Sequence, residues 1–216
     1  MIDQRAYLRD CMDAMAEFPD NFFDLAVVDP PYGIGEDGAK NATRGGAAKP
    51  RPYAVKTWDK EAPPQLYFDE LRRVSKNQIV WGANHFISRL PFDSPCWLFW
   101  DKDNYGDFAD GELAWCSFKT AVRKFKYRWA GMLQQNMKEK EDRLHPTQKP
   151  VALYDWIFAN YAKAGQKVLD THLGSGSSRI AANKAGIDFW GYELDPDYFA
   201  AHQKRYANFV AQLRMF

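Results

Sequence analysis

The stretch Val168-Leu169-Asp170-Thr171-His172-Leu173-Gly174-Ser175-Gly176 decides the fold. Its start, Lys167 to Asp170, predicts a buried strand. The glycines turn the chain, because glycine reaches dihedrals that other residues avoid and lets backbone approach a ligand closely. A helix follows and stops at Gly186. Asp188 to Glu193 predicts the next strand, with an acid at its end. A carboxylate there can accept hydrogen bonds from both ribose hydroxyls of a nucleoside. The arrangement suits an adenosine-containing cofactor without saying which one. A dinucleotide fingerprint would need a third glycine where the chain has Arg179, which counts against NAD. A tight turn that holds no ligand is the competing reading, and Glu193 weighs against it.

Beyond that strand, Asp195 caps a final helix that begins at Pro196. Phe199, Tyr206, Phe209, Val210 and Leu213 form its expected buried stripe. On the N-terminal side, Pro150 opens a helix that Gly165 ends. Val151, Tyr154, Ile157, Phe158 and Tyr161 share one of its faces. Val122 to Trp129 alternates, with Phe125, Tyr127 and Trp129 on one side and Lys124, Lys126 and Arg128 on the other. Met132 to Leu144 is polar and reads as a loop. Gln78 to Trp81, Cys96 to Trp100 and Glu112 to Phe118 predict strands. Pro63 to Lys76 predicts a helix with Tyr67, Leu71 and Val74 on one face. Phe22 to Val28 is an apolar run stopped by Asp29-Pro30-Pro31. Strands alternating with helices predict an α/β sandwich around a largely parallel sheet.

The chain has 216 residues, enough for one sizeable domain and few for two. Lys and Arg total 29 against 28 Asp and Glu, so any binding of a polyanion must come from local patches. Cys11, Cys96 and Cys116 are odd in number and far apart, which predicts neither disulfides nor a zinc cluster; no metal is expected. No stretch approaches about 18 uninterrupted apolar residues and no apolar leader follows Met1, so no membrane span is expected. A reducing cytoplasm is the expected compartment.

Asp29-Pro30-Pro31-Tyr32 directly follows an apolar strand. In an open parallel sheet, ligands bind beyond the carboxyl ends of strands. The amino nitrogen of adenine or cytosine is a poor nucleophile, because its lone pair is delocalised into the ring. The Asp29 carboxylate and the Pro30 carbonyl can accept hydrogen bonds from that amine and stabilise the charge that develops as it attacks a methyl group. Pro31 stiffens the turn, and Tyr32 offers a ring for stacking an extruded base. A proline-stiffened loop without chemistry is the bland alternative.

Together these motifs resemble the β class of amino-DNA methyltransferases, the N4-cytosine/N6-adenine DNA methylase family. Asp29-Pro30-Pro31-Tyr32-Gly33 comes first, His145-Pro146-Thr147-Gln148-Lys149-Pro150 follows, and Val168 to Ser178 with Glu193 comes last, in that family's circularly permuted order. Val80-Trp81-Gly82-Ala83-Asn84-His85 extends the likeness. The resemblance implies a Rossmann-like class I fold with a mostly parallel seven-stranded sheet and one antiparallel strand. It implies S-adenosyl-L-methionine as cofactor and double-stranded DNA as substrate, and it is compatible with a homodimer in a bacterial cell or phage-infected host.

Carried over residue by residue, the resemblance gives Asp29, Pro30, Pro31 and Tyr32 the target base. Asp29 also borders the cofactor. Thr147 and Lys149 hold the methionine carboxylate, and Asp170 lies near the methionine amino group. Gly174, Ser175, Gly176, Ser177 and Leu194 line the cofactor, and Glu193 holds its ribose. The family usually has Pro and Phe where this chain has Thr171 and His172. His172 then either packs on the cofactor and adds pH sensitivity, or is structural. The expected organisation is one domain over 1–216, with a catalytic half at 1–118, a basic segment at 119–144 as candidate recognition element, and a cofactor half at 145–216.

Lys40, Arg44, Lys49, Arg51 and Lys56 carry charge through the loop after the catalytic motif and are candidates for phosphate contact. Lys124, Lys126 and Arg128 form the second candidate patch, with an ordinary charged strand face as the alternative. Adenine N6 is the expected target, because Asp-Pro-Pro-Tyr is commoner in the adenine enzymes of the family. Cytosine N4 is the runner-up, followed by RNA or a protein amide, and then by a binding module without catalysis.

Overall fold

The computed structural model describes residues 3–35, 59–91, 93–104, 109–130 and 133–213. Strand β2 (Leu25–Val28) is buried along its whole length. Leu25 and Val27 enter one hydrophobic cluster, while Ala26 and Val28 enter another on the opposite face. Strand β3 (Gln78–Trp81) pairs parallel with it and repeats the pattern, with Ile79 and Trp81 on one side and Val80 on the other. Both faces are covered, which is why these strands read as continuous apolar runs rather than alternations. Helices α3 (Val151–Tyr161) and α4 (Ser177–Lys184) cover one face through Leu153, Ile157, Ala181 and Ala182. Helices α1 (Cys11–Met15) and α2 (Gln65–Val74) cover the other through Met15, Tyr67, Leu71 and Val74.

Among the described residues the main sheet has eight strands, where seven were expected. Its order is β1 (Gln4–Leu8), β10 (Asp188–Glu193), β9 (Lys167–Asp170), β2, β3, β5 (Gly111–Cys116), β4 (Trp97–Asp101) and β6 (Arg123–Lys126). β5 runs antiparallel to both neighbours, and every other pairing is parallel. The additional strand is β1, which has no apolar run to announce it. It is recruited by its parallel ladder with β10 and by Arg5, which donates to Asp188 at 2.6 Å and lies 4.0 Å above the Trp190 ring.

The expected strand over Val122 to Trp129 divides in two. β6 ends at Lys126, and Trp129 begins a separate antiparallel ribbon of β7 (Trp129–Ala130) and β8 (Leu133–Gln134). The Trp129 indole donates to the Gln148 carbonyl at 2.8 Å, which ties the start of this ribbon to the segment before α3. The alternation itself holds, because Phe125 and Tyr127 stack at 5.7 Å against the core and Trp129 is buried. Helix α5 (Pro196–Leu213) is capped by Asp195, whose side chain accepts from the Asp197 N–H at 2.8 Å. Its expected stripe is only half-buried, and Leu213 is 54% exposed. The helix lies along one end of the sandwich, and His202 is its single buried residue.

From β9 the chain proceeds to β10 on one side of the sheet, and from β2 to β3 on the other. The junction between β9 and β2 is therefore the topological switch point, where open α/β sheets bind ligands. Arg179, in the place of the third glycine, ties the outer elements to α4. It donates to His202 and Gln203 at 2.9 Å each and to the Gln4 carbonyl at 2.5 Å. Arg179→Ala is expected to cost about 1–3 kcal/mol, because it strands buried His202 and two half-buried acceptors. Urea denaturation measures the loss, and amide exchange should locate it first in β1.

Candidate active site

The carboxyl ends of β2 and β9 open into one cleft of about 1240 Å³. Asp29, Pro30, Pro31 and Tyr32 line it from β2, and Thr171, His172, Gly174, Ser175 and Ser177 line it from β9 and its turn. Glu193 and Leu194 border it from the end of β10, and His145, Thr147 and Lys149 from the segment before α3. Four chain segments thus meet at the switch point.

Asp29 lies in a compact charge cluster. Its Oδ2 is 2.5 Å from the Lys149 ammonium, and its Oδ1 accepts from the Tyr32 hydroxyl at 2.7 Å. Lys149 also reaches Glu112 at 3.0 Å and the Tyr32 hydroxyl at 3.1 Å. An ammonium has three donors, and all three are engaged. Lys149, expected at the methionine carboxylate, lines the cleft with Asp29, Glu112 and Tyr32 as its partners. Glu112 accepts in turn from Lys102 at 2.5 Å.

Burial disfavours ionisation throughout this cluster, and the partners decide the outcome. Burial raises the Asp29 carboxyl above the ordinary range; Lys149 opposes the shift and Glu112 adds to it. Burial also acts on Glu112, but Lys149 and Lys102 outweigh it and hold Glu112 at about 2. Burial lowers Lys149, but Asp29 and Glu112 overcome it, so the lysine stays charged.

Tyr32 is held from several directions. Asp59 accepts from the N–H groups of Tyr32 at 2.7 Å and Gly33 at 2.9 Å, which fixes the turn after Pro31. The His85 ring stacks on Tyr32 at 5.0 Å, with 16° between the planes. Gly82 has φ +69, and a Cβ there would lie 2.0 Å from the Tyr32 ring.

In the β9 turn, Glu193 accepts from the Gly174 N–H at 2.7 Å and the Asp195 N–H at 2.8 Å. Arg205 donates to the Ser175 carbonyl and to Ser177 Oγ at 2.9 Å each, and pairs with Glu141 at 2.6 Å. Two residues expected on the cofactor do not line the cleft. Asp170 is buried beneath the turn, where its carboxylate accepts from Ser178 at 2.5 Å and the His172 N–H at 3.0 Å. Gly176 starts α4 in a left-handed conformation, and a Cβ there would meet His202 at 2.4 Å.

His172 bonds to Thr171 Oγ1 at 2.9 Å, and burial lowers it to about 4. A ring so lowered is neutral at physiological pH, in keeping with the structural one of the two expected readings. In the second basic patch, Lys126 and Arg128 pair with Asp103 at 2.8 and 2.7 Å, and Lys124 pairs with Asp101 at 3.4 Å. None of the three lines the cleft. Lys40, Arg44, Lys49, Arg51 and Lys56 lie outside the described residues.

Sequence reasoning missed Glu112, Lys102, Asp59, His85 and Arg205. Glu112 carried a signal in its position, as an acid at the head of an otherwise apolar strand. Because β5 is antiparallel, its start reaches the edge where β2 and β9 end.

A family model described as DNA methylase matches residues 93–204. The chain belongs to this DNA methylase family. The type II methyltransferase M.HinfI of Haemophilus influenzae is 23% identical, across 91% of the chain and 66% of that enzyme. Among solved structures, the M1.HpyAVI–SAM complex superposes with a TM-score of 0.58 at 19% identity, covering 93% of this chain and 98% of that one. The cytosine-N4-specific PvuII DNA methyltransferase superposes at 0.61 with 12% identity, covering 93% and 85%. These structures share the methylase's fold.

Two outcomes follow for this DNA methylase. Gly82→Ala must displace the Tyr32 ring and force a positive φ on alanine, at an expected cost of about 1–3 kcal/mol; thermal unfolding checks it. Asp170 is raised by burial to about 7, against the hydrogen bonds from Ser178 and His172. The folded chain thus binds the extra proton between about pH 4 and pH 7, so this group's stabilisation falls as pH rises through that window. Urea midpoints at pH 5 and pH 8 should differ more in the wild type than in Asp170→Asn.

Proposed function

We propose that this DNA methylase transfers a methyl group from S-adenosylmethionine to the exocyclic amine of an extruded DNA base, adenine N6. The observation that carries the reading is the shared cleft: Asp29 and the Gly174 turn with Glu193 border one space. Its volume of about 1240 Å³ exceeds the roughly 300–1,000 Å³ of a single-ligand site, which suits a cofactor beside a base.

The lining fits the cofactor. Each Glu193 oxygen accepts one backbone N–H and keeps a lone pair for a ribose hydroxyl. The space around a Cβ at Gly174 is open, its nearest neighbour being His145 Cδ2 at 3.9 Å. Thr147, Ser175, Ser177 and Leu194 complete that end. The bound cofactor supplies an electrophilic methyl group. The chain's own part is to seat the base and polarise its amine. Asp29 and the Pro30 carbonyl accept the amine hydrogens, which leaves the nitrogen lone pair more available. As positive charge develops on nitrogen, the fixed carboxylate stabilises it without reorganising. Tyr32, braced by His85, gives the base a flat surface worth about 1–3 kcal/mol, comparable to the few kcal/mol that unstacking costs. On this reading residues 1–118 handle the base and residues 145–216 the cofactor. Phosphates would compete with Asp101 and Asp103 for Lys124, Lys126 and Arg128.

Asp29 in the motif supports adenine, since the family's adenine enzymes favour it. Cytosine N4 is the second reading, favoured by the fold match to the cytosine-N4-specific PvuII enzyme. Methylated DNA digested to nucleosides and weighed by mass spectrometry should yield N6-methyladenine; N4-methylcytosine alone would reverse the assignment. Asp29→Ala should abolish transfer to DNA while S-adenosylmethionine still binds by calorimetry. Undiminished transfer in that variant would remove Asp29 from the chemistry.

A further inference from the structure

We propose that Glu112 is the positioning residue of this site: it holds the Lys149 ammonium between two carboxylates, so that Asp29 keeps an acceptor strong enough to grip the target amine. This rests on the function proposed above and deepens it.

The geometry of the cluster carries the argument. Lys149 is 3% exposed and lies 2.5 Å from Asp29 and 3.0 Å from Glu112. If Asp29 were its only partner, the ammonium would neutralise that carboxylate and weaken its pull on a base N–H. A second carboxylate on the same ammonium divides the lysine's donors and its field. Lys102 then pairs with the far oxygen of Glu112 at 2.5 Å, so two acids and two ammoniums balance. Glu112 has two cations and Asp29 has one that it shares. The member left basic is the one that faces the base.

The same arrangement accounts for the direction of each group. Glu112, between Lys149 and Lys102, stays ionised, and its charge adds to the basicity of buried Asp29. The other groups facing Asp29 and Lys149 are Tyr32, whose hydroxyl donates to Asp29 at 2.7 Å and lies 3.2 Å from Glu112, and His145, whose charge is disfavoured by burial and then by Lys149. Asp170, Tyr67 and Tyr154 are raised first by burial and then, in smaller part, by the charge of the cluster, so the two tyrosines stay neutral. Glu112 and Lys149 meet directly at 3.0 Å, and the Tyr32 hydroxyl touches both.

Two variants should move Asp29 in opposite directions. Glu112→Gln removes a negative neighbour and leaves Lys149 to Asp29, so Asp29 should titrate lower. Lys102→Met leaves Glu112 with Lys149 alone, which draws the ammonium away, so Asp29 should titrate higher. Carboxyl-carbon NMR of the free protein reads the titration, with the signal assigned by Asp29→Asn, and circular dichroism confirms folding. Shifts of about one pH unit, down in Glu112→Gln and up in Lys102→Met, are expected. The acid limb of kcat for DNA methylation should follow them, with the KM for S-adenosylmethionine unchanged within about twofold. Shifts in the same direction, or an Asp29 titration unmoved in both variants, would overturn the proposal. Should Glu112→Gln fail to fold, the Lys102→Met titration decides alone: an upward shift supports the proposal and no shift overturns it. If the wild type transfers no methyl to DNA, the proposed function fails, while the Asp29 titration still decides the role of Glu112.

Discussion

The parallel pairing of β2 with β9, Leu25 against Val168 and Ala26 against Leu169, is the constraint on which the site depends. It joins the N-terminal and C-terminal parts of the chain at the middle of the sheet. Asp24 reinforces the junction by accepting from the Lys167 N–H at 3.0 Å, across 143 residues of sequence. Once those two strands lie side by side, the Asp29 turn and the Gly174 turn must leave the sheet at the same edge. The permuted order of motifs along the chain then has no bearing on the cleft, because the sheet restores their adjacency.

The antiparallel direction of β5 is the second constraint. A parallel strand would present its carboxyl end at the cleft, whereas β5 presents its beginning and so brings Glu112 to Lys149. Lys102, just beyond the end of β4, arrives from the neighbouring strand. The charge cluster is thus assembled from β2, β4, β5 and the segment before α3, each held by the hydrophobic packing behind it. Arg205 performs a comparable task on the cofactor side, linking the Ser175–Ser177 turn to Glu141, which in turn accepts from the first N–H of α3 at 3.1 Å.

Much of this was legible in the residues. β3, β9 and β10 were readable to their ends, and β2 as the core of its apolar run, because strands buried on both faces must be apolar throughout. β1 was not, because its pairing with β10 needs backbone groups more than apolar side chains. The course of 122–129 was half legible: alternation identified the inward aromatics, but not the hydrogen bond that ties Trp129 to the segment before α3. The outward cations looked like a free basic stripe until Asp101 and Asp103 met them across the β4–β6 pair. Within the site, the motif residues were legible as a set, yet the partners of Lys149 were not. Those contacts join side chains far apart in sequence, as its 3.1 Å approach to Tyr32 over 117 residues illustrates. Asp170 was expected near the methionine amino group; its hydrogen bonds from Ser178 and the His172 N–H beneath the turn were not legible in the sequence.

A crystal structure of the chain with S-adenosylmethionine bound tests the central claim most directly. The account predicts the ribose hydroxyls on Glu193 and the sulfonium methyl directed across the cleft toward Asp29. A cofactor seated with its ribose away from Glu193, or with its methyl turned from Asp29, would contradict it.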